Sequence, residues 1–231
     1  MRENKIKEIW QNGNCATLGW LSVSHGMTAE IMARQGFDAL CVDLQHGISE
    51  MSDVLPMLQA ISQTDTVPFV RVAWNDPAPI MKALDLGAYG IIVPLVNNAE
   101  EAAKAVSACH YPPDGMRSFG PVRAFQYGGV DYPSKANEEI IVMAMIETKE
   151  GLANLEAICA TPGLDAVYIG PSDLSYALDL APRGDNPDPT HIETCNKILK
   201  TAHDNGIKAV MHCAGSEFAV GAAERGFDMV M

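Results

Sequence analysis

Gln35–Asp43 reads QGFDALCVD: the tail of an amphipathic stretch, a glycine, and at once an apolar run. The same device recurs as LGAYGIIV at Leu86–Val93, NGIKAVM at Asn205–Met211 and RGFDMVM at Arg225–Met231. Glycine just past a helix end adopts the left-handed turn without a Cβ penalty, so each segment reads as helix, stop, strand. A unit repeated in this way implies parallel strands, because every crossover helix returns the chain to the same end of the sheet.

Working outward, the remaining periodicity predicts an opening helix over Glu3–Gln11, a strand over Ala16–Ser24 and a helix over Thr28–Gln35. The second strand is expected at Phe37–Asp43, followed by a helix over Ser49–Ser62 with Ser49 as N-cap. Strands follow at Pro68–Val72, Gly90–Val96, Ile140–Ile146, Ala166–Ile169 and Lys208–Met211, with a last one from Phe227. Helices between them are expected at Pro77–Leu86, Ala99–Cys109, Glu150–Ala160, Thr190–Asn205 and Ser216–Arg225. Eight strands alternating with helices point to a single (β/α)8 TIM barrel over residues 1–231 rather than an open doubly wound sheet. The sequence stops inside the eighth strand, so the helices that would cover it are expected to be truncated or absent. One interval breaks the rhythm: Tyr111–Asn137, with four prolines and four glycines, reads as a long loop. Loops of that length in compact domains usually carry function, so a lid or subunit contact beside an active site, using Arg117, Phe119 and Arg123, is expected.

Lys and Arg total 16 against 29 Asp and Glu, a formal charge of −13, which leaves no basic face for nucleic acid. Apolar residues at 48% are too many for a disordered chain. No window is long and apolar enough for a membrane span, and the first ten residues lack a signal-type apolar stretch. The six cysteines form no CxxC pair and read as free thiols. A cytoplasmic protein acting on a small molecule is expected.

In a barrel of this kind the active site lies where strands end. Asp43, Gln45 and His46 follow the second strand, Arg71 ends the third, Glu147 and Thr148 the fifth, Asp173 follows the sixth and His212 the seventh. Taken singly, Glu147 and Asp173 suit helix N-caps, and His46 suits a turn. Together, two carboxylates on adjacent strands suit a hard divalent cation such as Mg²⁺ or Mn²⁺, an arginine supplies a cationic fork, and a histidine moves protons near neutral pH. That set fits metal-assisted proton or carbon–carbon chemistry beside a carbonyl. No lysine ends a strand, which argues against a Schiff-base aldolase.

The segments VDLQHG (42–47), PFVRV (68–72), NDPAPIMKALDLGAYGIIVPLVNNAEEA (75–102), YPPDGMRSFGP (111–121), AMIETKEGLANLEAI (144–158) and VYIGPSDLS (167–175) resemble the HpcH/HpaI family of class II pyruvate-dependent aldolases, hydroxy-ketoacid aldolases in particular. The resemblance implies a 2-oxo acid and an aldehyde as substrates, joined or cleaved through an enolate. It implies that Glu147 and Asp173 hold Mg²⁺, Mn²⁺ or Co²⁺, that Arg71 stabilises the enolate oxygen, and that His46 is the acid/base group with Asp85 raising its basicity. Backbone N–H groups at Ser172 and Asp173 would bind the pyruvate carboxylate. It also implies a homo-oligomer, a hexamer by family habit. Gln45 replaces a common Glu, and Met145 replaces a glutamine that touches substrate elsewhere in the family. The alternatives are another lyase or decarboxylase of the superfamily and a non-catalytic sensor of 2-oxo acids.

Overall fold

The computed structural model describes residues 1–231. Helix α1 (Lys5–Gln11) leads into β1 (Ala16–Leu21), α2 (Gly26–Ala33), β2 (Ala39–Asp43), α3 (Met51–Ile61), β3 (Val67–Arg71), α4 (Pro77–Asp85) and β4 (Gly90–Val93). After α5 (Ala99–Cys109) come α6 (Val122–Gly128), α7 (Tyr132–Glu139), β5 (Ile141–Ile146), α8 (Lys149–Ala153) and α9 (Leu155–Cys159). The chain closes with β6 (Ala166–Ile169), α10 (Pro171–Ala177), α11 (Pro189–Asp204), β7 (Lys208–Met211), α12 (Ser216–Glu224) and β8 (Met229–Val230).

The eight strands form a closed parallel barrel in sequence order, sealed by β8 against β1 through Ala16↔Met229 and Thr17↔Val230. All of β2, β3 and β5 is buried, as expected of strands covered on one face by helices and on the other by the barrel interior. The glycine stops behave as the sequence predicts: φ is +92° at Gly36 and +100° at Gly87, a region closed to most L-residues. No helix is long and apolar enough to cross a membrane. Register matters for function at one place in particular. Asp43 pairs with Arg71 across β2 and β3, so the last residues of both strands stand level at the mouth.

Three expectations need correction. Helix α3 is capped by Glu50, not Ser49: the Glu50 N–H donates to Asp53 in a reciprocal capping box, at 2.8 Å. The stretch after β5 splits into two short helices at Asn154, whose side chain bonds the Asn97 carbonyl at 2.8 Å. The largest correction concerns Tyr111–Asn137, which is neither structureless nor a lid within its own chain. It contains α6 and most of α7, and it connects a helix end to a strand start, so topology puts it on the barrel face opposite the mouth. Arg123 there donates to the Leu86 carbonyl at 3.0 Å and to Ser62 Oγ at 2.6 Å, tying down the C-terminal ends of α4 and α3. Orphan carbonyls at helix ends need such donors.

Candidate active site

A cavity of about 260 Å³ opens at the strand ends and is lined by His46, Arg71, Glu147, Ser172, Asp173 and His212, with Trp20 and Met145 as its less polar wall. A roomier cleft of about 610 Å³ lies beside Arg2 and Arg123. Those arginines are already bonded to carbonyls of the α3 and α4 ends, and no histidine or carboxylate lines the cleft with them. The histidines and carboxylates at the strand ends gather in the smaller cavity.

Asp43 organises one side. Its Oδ1 and Oδ2 accept from Arg71 Nε and Nη2 at 2.8 and 2.7 Å, a two-point fork set by the strand register. The same carboxylate accepts from Trp20 Nε1 at 3.2 Å and from the backbone N–H of Gln45 at 3.0 Å. Burial pushes the Asp43 pKa up, but the Arg71 hydrogen bonds and charge outweigh it and hold the carboxyl below its ordinary value. The Arg71 guanidinium also lies 4.8 Å over the Trp20 ring. Nε and Nη2 are thus spent on Asp43, while Nη1 meets only the Met145 sulfur at 4.0 Å. Removing Asp43 would strand a buried cation, at a cost of about 3–5 kcal/mol. Sequence reading placed Asp43 at the mouth without giving it work; the signal was an acid closing an otherwise apolar strand.

Glu147 is only 3% exposed. Thr148, not Glu147, caps α8 by accepting from the Gly151 N–H at 2.9 Å, so the capping alternative fails for Glu147. Its Oε1 accepts from the Leu95 N–H at 2.9 Å. Leu95 takes φ +55°, an unfavourable region for a side chain of this kind, at the end of the strand that delivers the donor. Burial lifts the Glu147 pKa to about 7, partly offset by the Leu95 bond and reinforced by the negative charge of Asp173. Gly170 explains how Glu147 fits: a Cβ there would collide with Glu147 Oε2 and lie 2.9 Å from the Met145 methyl. Sequence reading passed over this glycine, although its place between the strand and PSD was the available clue.

Asp173 sits in the first turn of α10, a short helix not expected from the sequence, and no side chain caps that helix. The first-turn N–H groups of Ser172 and Asp173 have no intrahelical partner. Two hard carboxylates line one cavity, and the pKa of the buried one is lifted first by burial and then by the charge of the other. The donor set fits a divalent ion with several positions left for substrate and water.

His46 is exposed at the rim, and its backbone N–H leans on Asp43 Oδ1 at 3.4 Å. Asp85 is not with it. That residue ends α4, on the strand-start side, and its carboxylate accepts from Arg117 Nη2 at 2.9 Å. Arg117 is itself buried, stacked 4.4 Å over Tyr111 and bonded to Tyr132 Oη at 3.0 Å. The His46–Asp85 pair implied by resemblance is therefore not formed within one chain. His46, Arg71, Glu147, Ser172 and Asp173 do converge.

The profile of the family described as HpcH/HpaI aldolase/citrate lyase matches residues 17–224. The chain is 41% identical to the hydroxypyruvate/pyruvate aldolase of Rhizorhabdus wittichii, over 98% of this chain and 90% of that one. It is 40% identical to the 4-hydroxy-2-oxo-heptane-1,7-dioate aldolase of Shigella flexneri, over 80% of this chain and 71% of that one. A crystal structure of an HpcH/HpaI aldolase/citrate lyase family protein from Burkholderia cenocepacia superposes with a TM-score of 0.90 at 30% identity, covering 98% of this chain and 91% of that one.

Proposed function

The chain belongs to the HpcH/HpaI aldolase/citrate lyase family, and we propose that it is a metal-dependent aldolase. It forms or cleaves 4-hydroxy-2-oxo acids, with pyruvate or hydroxypyruvate as nucleophile and an aldehyde as acceptor. One observation carries the reading: two carboxylates, Glu147 buried and Asp173 exposed, an arginine with one edge free and an exposed histidine open on one cavity.

Glu147 and Asp173 would hold Mg²⁺, Mn²⁺ or Co²⁺, which supplies Lewis-acid polarisation of the 2-oxo group. The N–H groups of Ser172 and Asp173 receive the substrate carboxylate. Arg71, fixed by Asp43, presents Nη1 to the oxygen that gains charge as a proton leaves C3; a donor oriented beforehand loses nothing to reorganisation. His46 takes the C3 proton as the enolate forms and, in cleavage, the proton of the 4-hydroxyl, returning each in the reverse direction. Trp20 and Met145 close that wall to water.

Six free cysteines, five of them buried, support a reducing, cytoplasmic setting. Phe119, Val122 and Val130 are 66%, 81% and 84% exposed on the excursion, which supports a homo-oligomer.

The function is tested by assaying pyruvate and hydroxypyruvate with a panel of aldehydes in the presence of Mg²⁺. Aldol adducts from both acids are expected; loss of CO₂ without any adduct would favour a decarboxylase instead. Titration gives a second expectation. With its pKa near 7, Glu147 is protonated below neutrality in metal-free protein and must lose that proton when a cation binds. Mg²⁺ affinity is expected to rise by up to about tenfold per pH unit below 7 and to level off above. Calorimetric titrations at pH 6 and pH 8 measure it. The linkage has a definite sign. The folded state holds a proton that the unfolded chain, near 4.5 at this group, has given up. Glu147 therefore lowers metal-free stability as pH rises from about 4.5 to 7.

A further inference from the structure

His212 follows the last residue of β7 and lines the same cavity as Arg71 and Glu147. Its Nδ1 lies 2.7 Å from Tyr168 Oη. Its ring meets the Trp20 indole edge-on, with centroids 5.0 Å apart. Tyr168 is wholly buried on β6, and burial drives its phenol pKa well above the ordinary tyrosine value, so it keeps its proton. That proton has one acceptor in reach, His212 Nδ1. The imidazole is neutral as well: burial first, then the positive charge of Arg71, lower its pKa to about 4. A neutral imidazole that accepts at Nδ1 carries its hydrogen on Nε2.

Nε2 makes no hydrogen bond within the protein, yet it is not among the sealed, unpartnered atoms of the interior. An uncharged N–H donor therefore stands fixed in the cavity wall with nothing to receive it. Of the other polar residues that line the cavity, His46, Arg71, Glu147, Ser172 and Asp173 already have work in the aldolase reading, and Ser22 is the one without. The Trp20 N–H is already spent on Asp43 at 3.2 Å, and Met145 presents a thioether. The substrate groups already accounted for do not need this donor, because the carboxylate and 2-oxo oxygen are served by α10, Arg71 and the carboxylate pair. A neutral donor also suits a neutral oxygen better than a carboxylate.

We propose that His212, oriented by Tyr168, is a specificity-determining residue that donates from Nε2 to a hydroxyl oxygen of the substrate, so that the site favours hydroxylated reactants over their deoxy counterparts. The inference rests on the aldolase reading above. The hydroxyl can belong to the nucleophile, as in a 3-hydroxy-2-oxo acid, or to the acceptor, as in a 2-hydroxyaldehyde. A site built around a hydroxyl discriminates against the analogue that lacks it, because the analogue leaves the desolvated donor unpaired.

The test compares kcat/KM, with Mg²⁺ present, in two arms. One pairs hydroxypyruvate or pyruvate with acetaldehyde; the other pairs pyruvate with glycolaldehyde or acetaldehyde. The proteins are wild type, His212→Phe, His212→Gln and Tyr168→Phe. Phenylalanine keeps a ring against Trp20 but has no donor, so the hydroxyl-to-deoxy ratio should fall at least about tenfold in one arm, and that arm identifies which reactant carries the hydroxyl. Glutamine restores an N–H and should recover part of the ratio. Tyr168→Phe frees the tautomer without touching the substrate, and should lower the ratio in the same arm by less. If His212→Phe does not fold, the glutamine and Tyr168 variants carry the comparison. Ratios that stay within about twofold of wild type in both arms, while pyruvate and acetaldehyde still react, overturn the role of His212 alone. Failure of wild type to join any pair overturns the aldolase reading and this inference with it.

Discussion

Glu147→Gln should lower kcat/KM by about 10³-fold or more while leaving the protein folded and, without metal, no less stable than wild type. The amide keeps the shape and still offers an oxygen to the Leu95 N–H, which sits 2.9 Å from Oε1. It also removes a carboxylate that burial already penalises, as the rise of its pKa to about 7 records. What is lost is half of the anionic pair that would hold the cation. Lewis-acid polarisation is worth several kcal/mol, and each ~1.4 kcal/mol is a factor of ten in rate. Asp173→Ala and exhaustive chelation should produce losses of the same size, with only the chelated wild type rescued by added Mg²⁺, Mn²⁺ or Co²⁺. Melting curves and cation titrations of the variants separate the two effects. A Glu147→Gln protein that binds Mg²⁺ normally would remove Glu147 from the metal site.

The second large effect belongs to His46. Its side chain is exposed at the rim, and the turn beneath it is held through backbone N–H groups on Asp43, so His46→Ala removes a reactive group without disturbing packing. Positioned acid–base help is worth about 10²–10⁴-fold, and cleavage of a 4-hydroxy-2-oxo acid should fall within that range. Added imidazole should restore part of the rate, a rescue that no structural role would give. Asp85→Asn should act differently. Its carboxylate supports Arg117 beneath the barrel, so stability is expected to fall before the cleavage rate does. Unimpaired cleavage by His46→Ala would take this histidine out of the mechanism.

Much of this architecture was legible because one device is repeated. Helix, glycine and apolar run at Gly36, Gly87, Gly206 and Gly226 set the parallel order, and the polar residues next after each strand named most of the cavity. Local signals were weaker where tertiary structure decides. Helices α6 and α7 with their caps are rich in Pro and Gly (Pro121, Gly128, Gly129 and Pro133), a composition that reads as loop, and they are held by partners outside them such as Ser62 and Leu86 for α6 and Arg117 for α7. Ser49 and Glu50 both can cap a helix, and the reciprocal bond with Asp53 selects Glu50. The work of Asp43 depends on register with Arg71, and that of Gly170 on the approach of a carboxylate from the neighbouring strand. The tautomer of His212 depends on a phenol 44 residues away. None of these is a pattern along the chain.

The central claim is that this cavity draws a proton from C3 of a 2-oxo acid with the help of a divalent cation and Arg71. It is tested most directly by following the methyl protons of pyruvate in D₂O by NMR, with enzyme and Mg²⁺ but no aldehyde. Exchange well above the buffer rate is predicted, abolished by chelation and slowed about 10²-fold or more by Arg71→Lys, since lysine keeps the charge but not the fork that Asp43 orients. Exchange no faster than buffer, or exchange that survives complete removal of the metal, would contradict the account.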